Sequence, residues 1–393
     1  MDDQIVIVGA GHSGGALAIS LRELGFSGRI TLVGEEKHAP YERPSLSKEF
    51  LVSAADPVFV APNDHWDSHD IDLRLGVEAT GLDRDARTLS LSDGTVLGYD
   101  RLVIATGGHA RRLPGIDHPA VHLLRHIDDA RALAKTMTRA KRAVVVGGGV
   151  IGLEVASTLR GKGLEVTVLE AGDRLLGRNL PADAAAWLAA AHARIGVDIR
   201  LGRRLTALAG DGPFILTLDD GSSVETDLVV AGVGIVPAVA FARAAGLAED
   251  GGVPVGPDYR SPIDPRVFAI GDVALRAYDQ GAPARMETWA HAQSSARAAA
   301  RSLLDLEPEV EQAPWFWTDQ CGHSVQIAGR PEKADQVLSR GEGVRLYLMD
   351  GVLTGVACLD QPRDFGAARR LIGKRLTPDA ACDPAVDLRR AAA

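Results

Sequence analysis

The apolar residues of the chain gather in short, nearly unbroken runs, each followed by glycines and then by a helical pattern. Gln4–Val8 is the first run. Gly9-Ala10-Gly11-His12-Ser13-Gly14 follows it, then apolar spacing of helical period to about Leu24. Gly25 ends that helix, and Arg29–Val33 is the next run. Runs of this length between turn residues predict strands buried on both faces, as in a parallel sheet. The same order returns later. Ala143–Val146 leads into Gly147-Gly148-Gly149-Val150-Ile151-Gly152, a helix to about Arg160, a break at Gly161 and Gly163, and the run Glu165–Leu169. Two widely separated strand–loop–helix–strand units predict two nucleotide-binding domains, not a short-period solenoid.

Further buried strands are predicted at 101–105, 228–231 and 266–270. The last two end in Gly232-Val233-Gly234 and Gly271-Asp272, and 111–115 reads as a crossover. A helix of small residues is expected from about His291 to Leu304, and a linker around Glu307 to Ala313. The remaining residues alternate in short segments such as 344–349 and 352–358, which predicts an antiparallel sheet with one or two helices.

Each glycine loop sits between a strand and a helix, the context that separates a dinucleotide fingerprint from a plain turn. Gly9 and Gly147 allow the tight turn. Gly11 and Gly149 let the backbone approach a pyrophosphate, and Gly14 and Gly152 let the helix pack on the sheet. The helix N-terminus then offers unpaired N–H groups and partial positive charge to the phosphates. An acid follows each second strand, Glu35 and Glu170, placed to accept hydrogen bonds from ribose hydroxyls. Glu170 would repel a 2′-phosphate, which favours NADH over NADPH, although Arg174 lies close by. Asp272, at the end of a strand, suits a ribityl hydroxyl of FAD and equally a helix cap.

Composition narrows the function. Hydrophobic residues make up 46% and charged residues 24% of 393, as in a soluble globular protein. The net charge of −9 argues against nucleic acid as a partner. No apolar run is long enough to span a membrane, and the acidic start is unlike a signal peptide, so a cytoplasmic location is expected. The three cysteines, Cys321, Cys358 and Cys382, form no C-x-x-C pair. A zinc site, a cluster of the chain's own and a redox dithiol are therefore not expected.

The string Pro40-Tyr41-Glu42-Arg43-Pro44-Ser45-Leu46-Ser47-Lys48 is more specific. It resembles the P-Y-x-R-P-P-L-S-K segment of the FAD-dependent ferredoxin reductases that serve Rieske-type aromatic oxygenases and bacterial cytochromes P450. Ala105-Thr106-Gly107, the segment 232–237, Phe268-Ala269-Ile270-Gly271-Asp272 and Pro314-Trp315-Phe316-Trp317-Thr318-Asp319-Gln320 match the same family in the same order. Ser45 replaces the usual second proline, and Ala238 stands where asparagine often follows Pro237.

The resemblance implies an α/β fold with two Rossmann-like dinucleotide-binding domains of the glutathione-reductase type and a small C-terminal α+β domain. Residues 1–113 with 240–311 would bind FAD, 114–239 would bind NADH, and 312–393 would be the C-terminal domain. Arg43 and Lys48 would lie against FAD, with Lys48 near the flavin N5 edge and paired to Glu154. Trp289 and Trp317 would approach the flavin, and Trp315 less closely. His12 reads as a loop or packing residue rather than a base. With Ser13, Val77, Ala105, Thr106, Gly107, Arg111 and Glu287 it completes the contacts expected on the FAD side. Val150, Ile151 and Gly234 join the second loop on the NADH side. The implied reaction is NADH:ferredoxin oxidoreduction: hydride to FAD, then single electrons to a [2Fe-2S] ferredoxin that feeds an oxygenase. Rubredoxin reductase, a monodehydroascorbate-type reductase and a flavoprotein NADH sensor share the architecture and the lack of cysteines. Because ferredoxins are usually acidic, docking on a net-negative chain needs a local basic patch, for which Arg369, Arg370, Lys374 and Arg375 are the candidates.

Overall fold

Gln4–Val8 forms the middle of a five-stranded parallel sheet in the computed structural model, which describes residues 3–53, 56–116, 118–278 and 281–392. Arg29–Gly34 and then Ile71–Leu75 lie on one side of it, Arg101–Ile104 and then Val267–Ala269 on the other. Ile5, Val6 and Ile7 are wholly buried. Each such side chain contributes roughly 1.5–3 kcal/mol over an exposed one. The helix His12–Glu23 packs against Trp289–Leu303, and both bring small residues to the contact: Ala16 and Ala18 from one, Ala296, Ala299 and Ala300 from the other.

The second sheet repeats this plan. Arg142–Val146 is flanked by Glu165–Glu170 and Asp198–Leu201 on one side and by Leu228–Ala231 and Val121–Leu123 on the other, all parallel. In each repeat the glycine loop leaves the central strand, where the chain's next neighbours lie on opposite sides. That is the switch point at which open α/β sheets bind ligands. Each repeat also carries a three-stranded antiparallel sheet just before its returning parallel strand, over 79–98 and over 205–226.

The C-terminal sheet is antiparallel, in the order Trp315–Gln320, His323–Gly329, Val352–Leu359, Val344–Met349, Gln336–Arg340. Helices Pro362–Arg369 and Pro378–Cys382 complete it over a core of Leu346, Leu348, Val356 and Phe365.

The chain divides into two compact units. One is Met1–Ser45, Asp56–His109 and Ile235–Glu311, and the other is Leu46–Ala55, Ala110–Gly234 and Gln312–Ala393. The second dinucleotide repeat and the C-terminal sheet thus form one body. Tyr347 donates to Asp183 (2.8 Å), and the Arg345 guanidinium lies over the Trp187 ring (5.2 Å). Leu46–Ala55 joins this body rather than the first repeat, because its side chains bond there, as described next.

Candidate functional site

In the first unit the three glycines of the loop behave differently. Gly9 has φ +118°, and a Cβ on it would lie 2.3 Å from the Ala105 carbonyl oxygen. A Cβ on Gly14 would lie 1.9 Å from the Gly9 oxygen. The protein's own backbone therefore requires glycine at both. At Gly11 the nearest atom to a Cβ is Arg43 Nη2, at 3.7 Å. The fold does not demand glycine there, whereas the close approach of a ligand would. Helix His12–Glu23 starts at Gly11 with no side-chain cap and no acid in its first turn. Its free N–H groups suit the pyrophosphate of FAD.

Around this loop, Arg43 donates to Glu36 (2.7 Å) and Tyr41 (3.1 Å), and Tyr41 donates to Glu36 (2.5 Å). Glu36 therefore turns inward, while Glu35 stays exposed at the end of Arg29–Gly34. Val77 N–H donates to Gly34 beside it (3.0 Å). The turn Ala105-Thr106-Gly107 is held by Thr106 Oγ1 donating to Ala238 O (2.7 Å) and Ala238 N–H donating to Gly107 O (3.1 Å). Both contacts use only the backbone of residue 238, so alanine serves as well as asparagine for them. Gly271, at φ +67°, donates to Ser295 Oγ (3.0 Å), and a Cβ on it would meet Ser13 Oγ at 2.6 Å. Asp272 lies in a single 3-10 turn that leads to the short strand Ala274–Arg276. The long helix begins only at Trp289, after Pro283, with Thr288 as its cap.

His12 packs edge-on to Trp289 (5.3 Å), and both its ring nitrogens are buried without a hydrogen bond. Burial draws its pKa down to about 4, so the ring is neutral packing material, and residue 12 can meet a cofactor through its backbone N–H. Burial weakens the acidity of Glu42, partly opposed by the Trp289 indole. Glu287 is exposed and paired with Arg285 (2.7 Å).

The second unit holds a matching loop. Gly147 has φ +110°, and a Cβ there would lie 2.4 Å from Gly232 O. A Cβ on Gly152 would lie 2.1 Å from Gly147 O, whereas one on Gly149 would meet nothing within 4 Å. The helix Val150–Gly161 also starts without a side-chain cap, with Ile151 exposed on its first turn. Glu170 accepts from Gly148 N–H (2.6 Å) and Gly172 N–H (2.7 Å), one on each oxygen. Arg174, the neighbour that could have welcomed a 2′-phosphate, donates instead to Leu180 O (2.9 Å) and Gly177 O (2.8 Å). Gly234 has φ +100°, and its oxygen accepts from Arg111 N–H (2.9 Å).

The same unit contains a buried acid. Glu154, on the Val150–Gly161 helix, is 2% exposed. Its carboxylate accepts from Lys48 Nζ (3.0 Å), Ser47 Oγ (2.5 Å) and Thr318 Oγ1 (2.6 Å). Thr158 on the same helix donates to Ser47 O (2.8 Å), so the segment around Lys48 is tied down on both sides. A buried carboxylate is tolerable only with such a set of donors. Trp317 donates to Asp319 (3.1 Å) and stacks with Trp315 (5.6 Å), which lies between it and Phe365.

The cysteines supply no redox pair. Cys321, Cys358 and Cys382 are free, and burial raises the pKa of Cys321 and takes that of Cys358 to about 12. Among the described residues no cluster suits a metal, and no helix is long and apolar enough to cross a membrane.

Residues 3–296 match the family described as pyridine nucleotide-disulphide oxidoreductase, and 315–392 match the reductase C-terminal family. The chain belongs to the pyridine nucleotide-disulphide oxidoreductases. As a family member it is an oxidoreductase that uses FAD and a pyridine nucleotide. Rhodocoxin reductase of Rhodococcus erythropolis is 40% identical, covering 99% of this chain and 94% of that protein. The ferredoxin–NAD(+) reductase component of the p-cumate 2,3-dioxygenase system of Pseudomonas putida is 38% identical, covering 98% of each. Among solved structures, the ferredoxin reductase for the CYP199A2 system from Rhodopseudomonas palustris superposes with a TM-score of 0.94 at 37% identity, over the whole of both chains. In this member of the family the buried donors Ser47 and Thr318 were not singled out by sequence reasoning. Both lie within strings that drew notice for other residues, Lys48 and the tryptophans.

Proposed function

We propose that the chain is an NADH:ferredoxin reductase, passing electrons from NADH through FAD to a [2Fe-2S] ferredoxin that feeds an oxygenase, in the cytoplasm where NADH is available. The observation that carries this reading is the pair of uncapped glycine-loop cradles in a chain with no redox-active cysteine pair. Two dinucleotides can be held, and there is no thiol to carry the electrons onward, so they leave to a partner. Full-length similarity to ferredoxin–NAD(+) reductase components supports that partner class.

FAD supplies the chemistry itself: hydride acceptance and stepwise electron release. The chain's residues bind and orient. The loop 9–14, with Arg43, Thr106 and Asp272, holds the first dinucleotide. The loop 147–152, with Glu170 and Gly234, holds NADH. Lys48, held by Glu154 (3.0 Å), would supply the positive charge that a reduced, anionic flavin calls for. Trp289 would meet the flavin from the first unit's side, beside His12.

The basic face of the C-terminal domain receives the ferredoxin. Arg370, Lys374 and Arg375 are exposed. Asp364, the one acid within 363–375, is paired with the buried Arg340 (3.2 Å), which leaves the face more positive than the sequence suggests. Arg369 contributes less, because its guanidinium lies over Trp315 (4.9 Å) and donates to Gln312 (2.6 Å). Steady-state NADH oxidation with cytochrome c, with and without added ferredoxin, tests the reading. Ferredoxin should raise the rate severalfold. Turnover that ferredoxin does not stimulate would sink the partner, and no turnover at all would favour an NADH sensor. Charge reversal at Arg370 and Lys374 should raise the KM for ferredoxin and leave ferricyanide reduction unchanged.

A further inference from the structure

Glu154 is the end of a longer buried chain. Thr318 has one hydroxyl proton, and it goes to the Glu154 carboxylate, which can only accept (2.6 Å). Thr318 Oγ1 therefore accepts in turn, from Gln320 Nε2 (2.9 Å). That sets the orientation of the Gln320 amide and turns Oε1 toward His192 Nε2 (2.6 Å). An amide oxygen only accepts, so the proton of His192 is on Nε2. Every bond in the series thus donates toward Glu154, starting from His192.

Thr318 and His192 are fully buried, and Gln320 is 4% exposed, so the series is shielded from bulk solvent. Thr318 and Gln320 lie two apart on one strand and present their side chains to the same face. His192 comes from the helix Ala182–Arg194, in the dinucleotide-binding part of the same unit. Its other ring nitrogen, Nδ1, is enclosed and makes no hydrogen bond. Packing alone would be served by leucine or phenylalanine here. The only polar work left to this ring is the Nε2–H that it gives to Gln320. Burial also lowers its pKa, which keeps the imidazole neutral.

We infer that His192 is a positioning residue for the Lys48–Glu154 pair, acting through Gln320 and Thr318. Without its N–H the Gln320 amide is free to turn. The Thr318 hydroxyl then loses its fixed direction, and Glu154 holds Lys48 less well. The inference rests on the reading that Lys48 serves the flavin, and it does not involve ferredoxin.

The test is the two-electron midpoint potential of the bound flavin, measured by dye-linked titration, together with single-turnover reduction by NADH. The proteins compared are His192→Phe, Thr318→Val, the double variant, His192→Gln and Lys48→Met. His192→Phe and Thr318→Val should shift the potential in the same direction. The expected size is about a tenfold change in the oxidised-to-reduced ratio, or about 30 mV for a two-electron couple. The double variant should shift no further than Thr318→Val alone, because residues acting in one chain are not additive. His192→Gln, which keeps an N–H donor, should recover most of the shift. A wild-type potential in His192→Phe beside a shifted one in Lys48→Met overturns the inference alone. Additive shifts in the double variant overturn it too. Wild-type potentials in both His192→Phe and Lys48→Met overturn the placement of Lys48 and the inference with it. If His192→Phe does not fold, Gln320→Met cuts the same chain with an unbranched side chain. Its potential should then shift as that of Thr318→Val does, and a wild-type value beside a shifted Lys48→Met overturns the inference.

Discussion

Replacing Gly149 by alanine separates what the fold needs from what the ligand needs. Gly149 has φ −81° and ψ −177°, which alanine adopts without strain, and its added methyl would meet no protein atom within 4 Å. Two small effects on stability oppose each other. Alanine is a poorer N-cap than glycine, by up to about 1 kcal/mol. It also has fewer unfolded conformations to lose, worth about 0.4–1 kcal/mol in its favour. The melting temperature should therefore move by only a few degrees. Binding should respond differently. The methyl stands on the surface that a pyrophosphate approaches, and losing one charge-assisted N–H contact costs about 1.5–3 kcal/mol. That corresponds to a Kd for NADH raised about 10- to 150-fold. Gly152→Ala is the control, because its methyl would lie 2.1 Å from Gly147 O and must displace the helix. It should lose stability first and binding only as a consequence. Thermal melts followed by flavin fluorescence, beside the NADH dependence of single-turnover flavin reduction, read both quantities. Unchanged NADH affinity in folded Gly149→Ala would show that the second loop is not a dinucleotide cradle.

Three other outcomes are expected. Glu170→Gln should narrow the preference for NADH over NADPH about tenfold in kcat/KM, since the repulsion of a 2′-phosphate goes. NADH should remain the better donor, because Arg174 is committed to Leu180 and Gly177. Acid should destabilise the first unit: His12 and His291 both have pKa values drawn down by burial to about 4, so the unfolded chain binds protons more readily than the folded one. Their contribution is complete above the unfolded value near 6.5 and is lost as pH falls from there toward 4. Denaturant titrations at stepped pH should show that fall, and it should be shallower in His291→Gln. Arg340→Met should loosen the C-terminal tail, because Arg340 is buried, pairs with Asp364 and donates to the carbonyls of Asp383 and Val386. A loss of about 3–5 kcal/mol is expected for breaking such a pair, read as faster hydrogen exchange over 378–392 with the first unit unchanged.

The parts legible in the sequence were those whose causes are local. A glycine that must turn at positive φ, and an apolar run buried on both faces, announce themselves within a dozen residues. Both repeats and the antiparallel C-terminal sheet were read on that basis. The small sheets over 79–98 and 205–226 were not, because their strands are only three to five residues long and, Thr88–Leu91 and Val96–Gly98 apart, mix buried and exposed positions irregularly. Val121–Leu123 is three half-buried residues and owes its place to Leu228–Ala231 beside it. Adjacent acids gave no sign of which turns inward: Glu36 does, because Tyr41 and Arg43 reach it. The polar chain from His192 to Glu154 joins residues far apart along the chain, and His192, Gln320 and Thr318 each read alone as an ordinary polar side chain.

The two cradles share a backbone and differ in what stands near it. Gly9 and Gly147 turn alike, and Gly14 and Gly152 close on them alike. At the first loop a guanidinium reaches within 3.7 Å of the place a Cβ on Gly11 would take, and Glu36 and Tyr41 hold it there. At the second loop no side chain comes within 4 Å of the equivalent point on Gly149. A braced guanidinium on a pyrophosphate adds about 1.5–3 kcal/mol per charge-assisted bond, or about 10- to 150-fold in affinity. A resident cofactor needs that increment, and a donor that must leave after every turnover is hindered by it. The backbone alone cannot say which dinucleotide goes where. Arg43 makes the difference between them, and it supports the proposed placement of FAD at the first loop and NADH at the second.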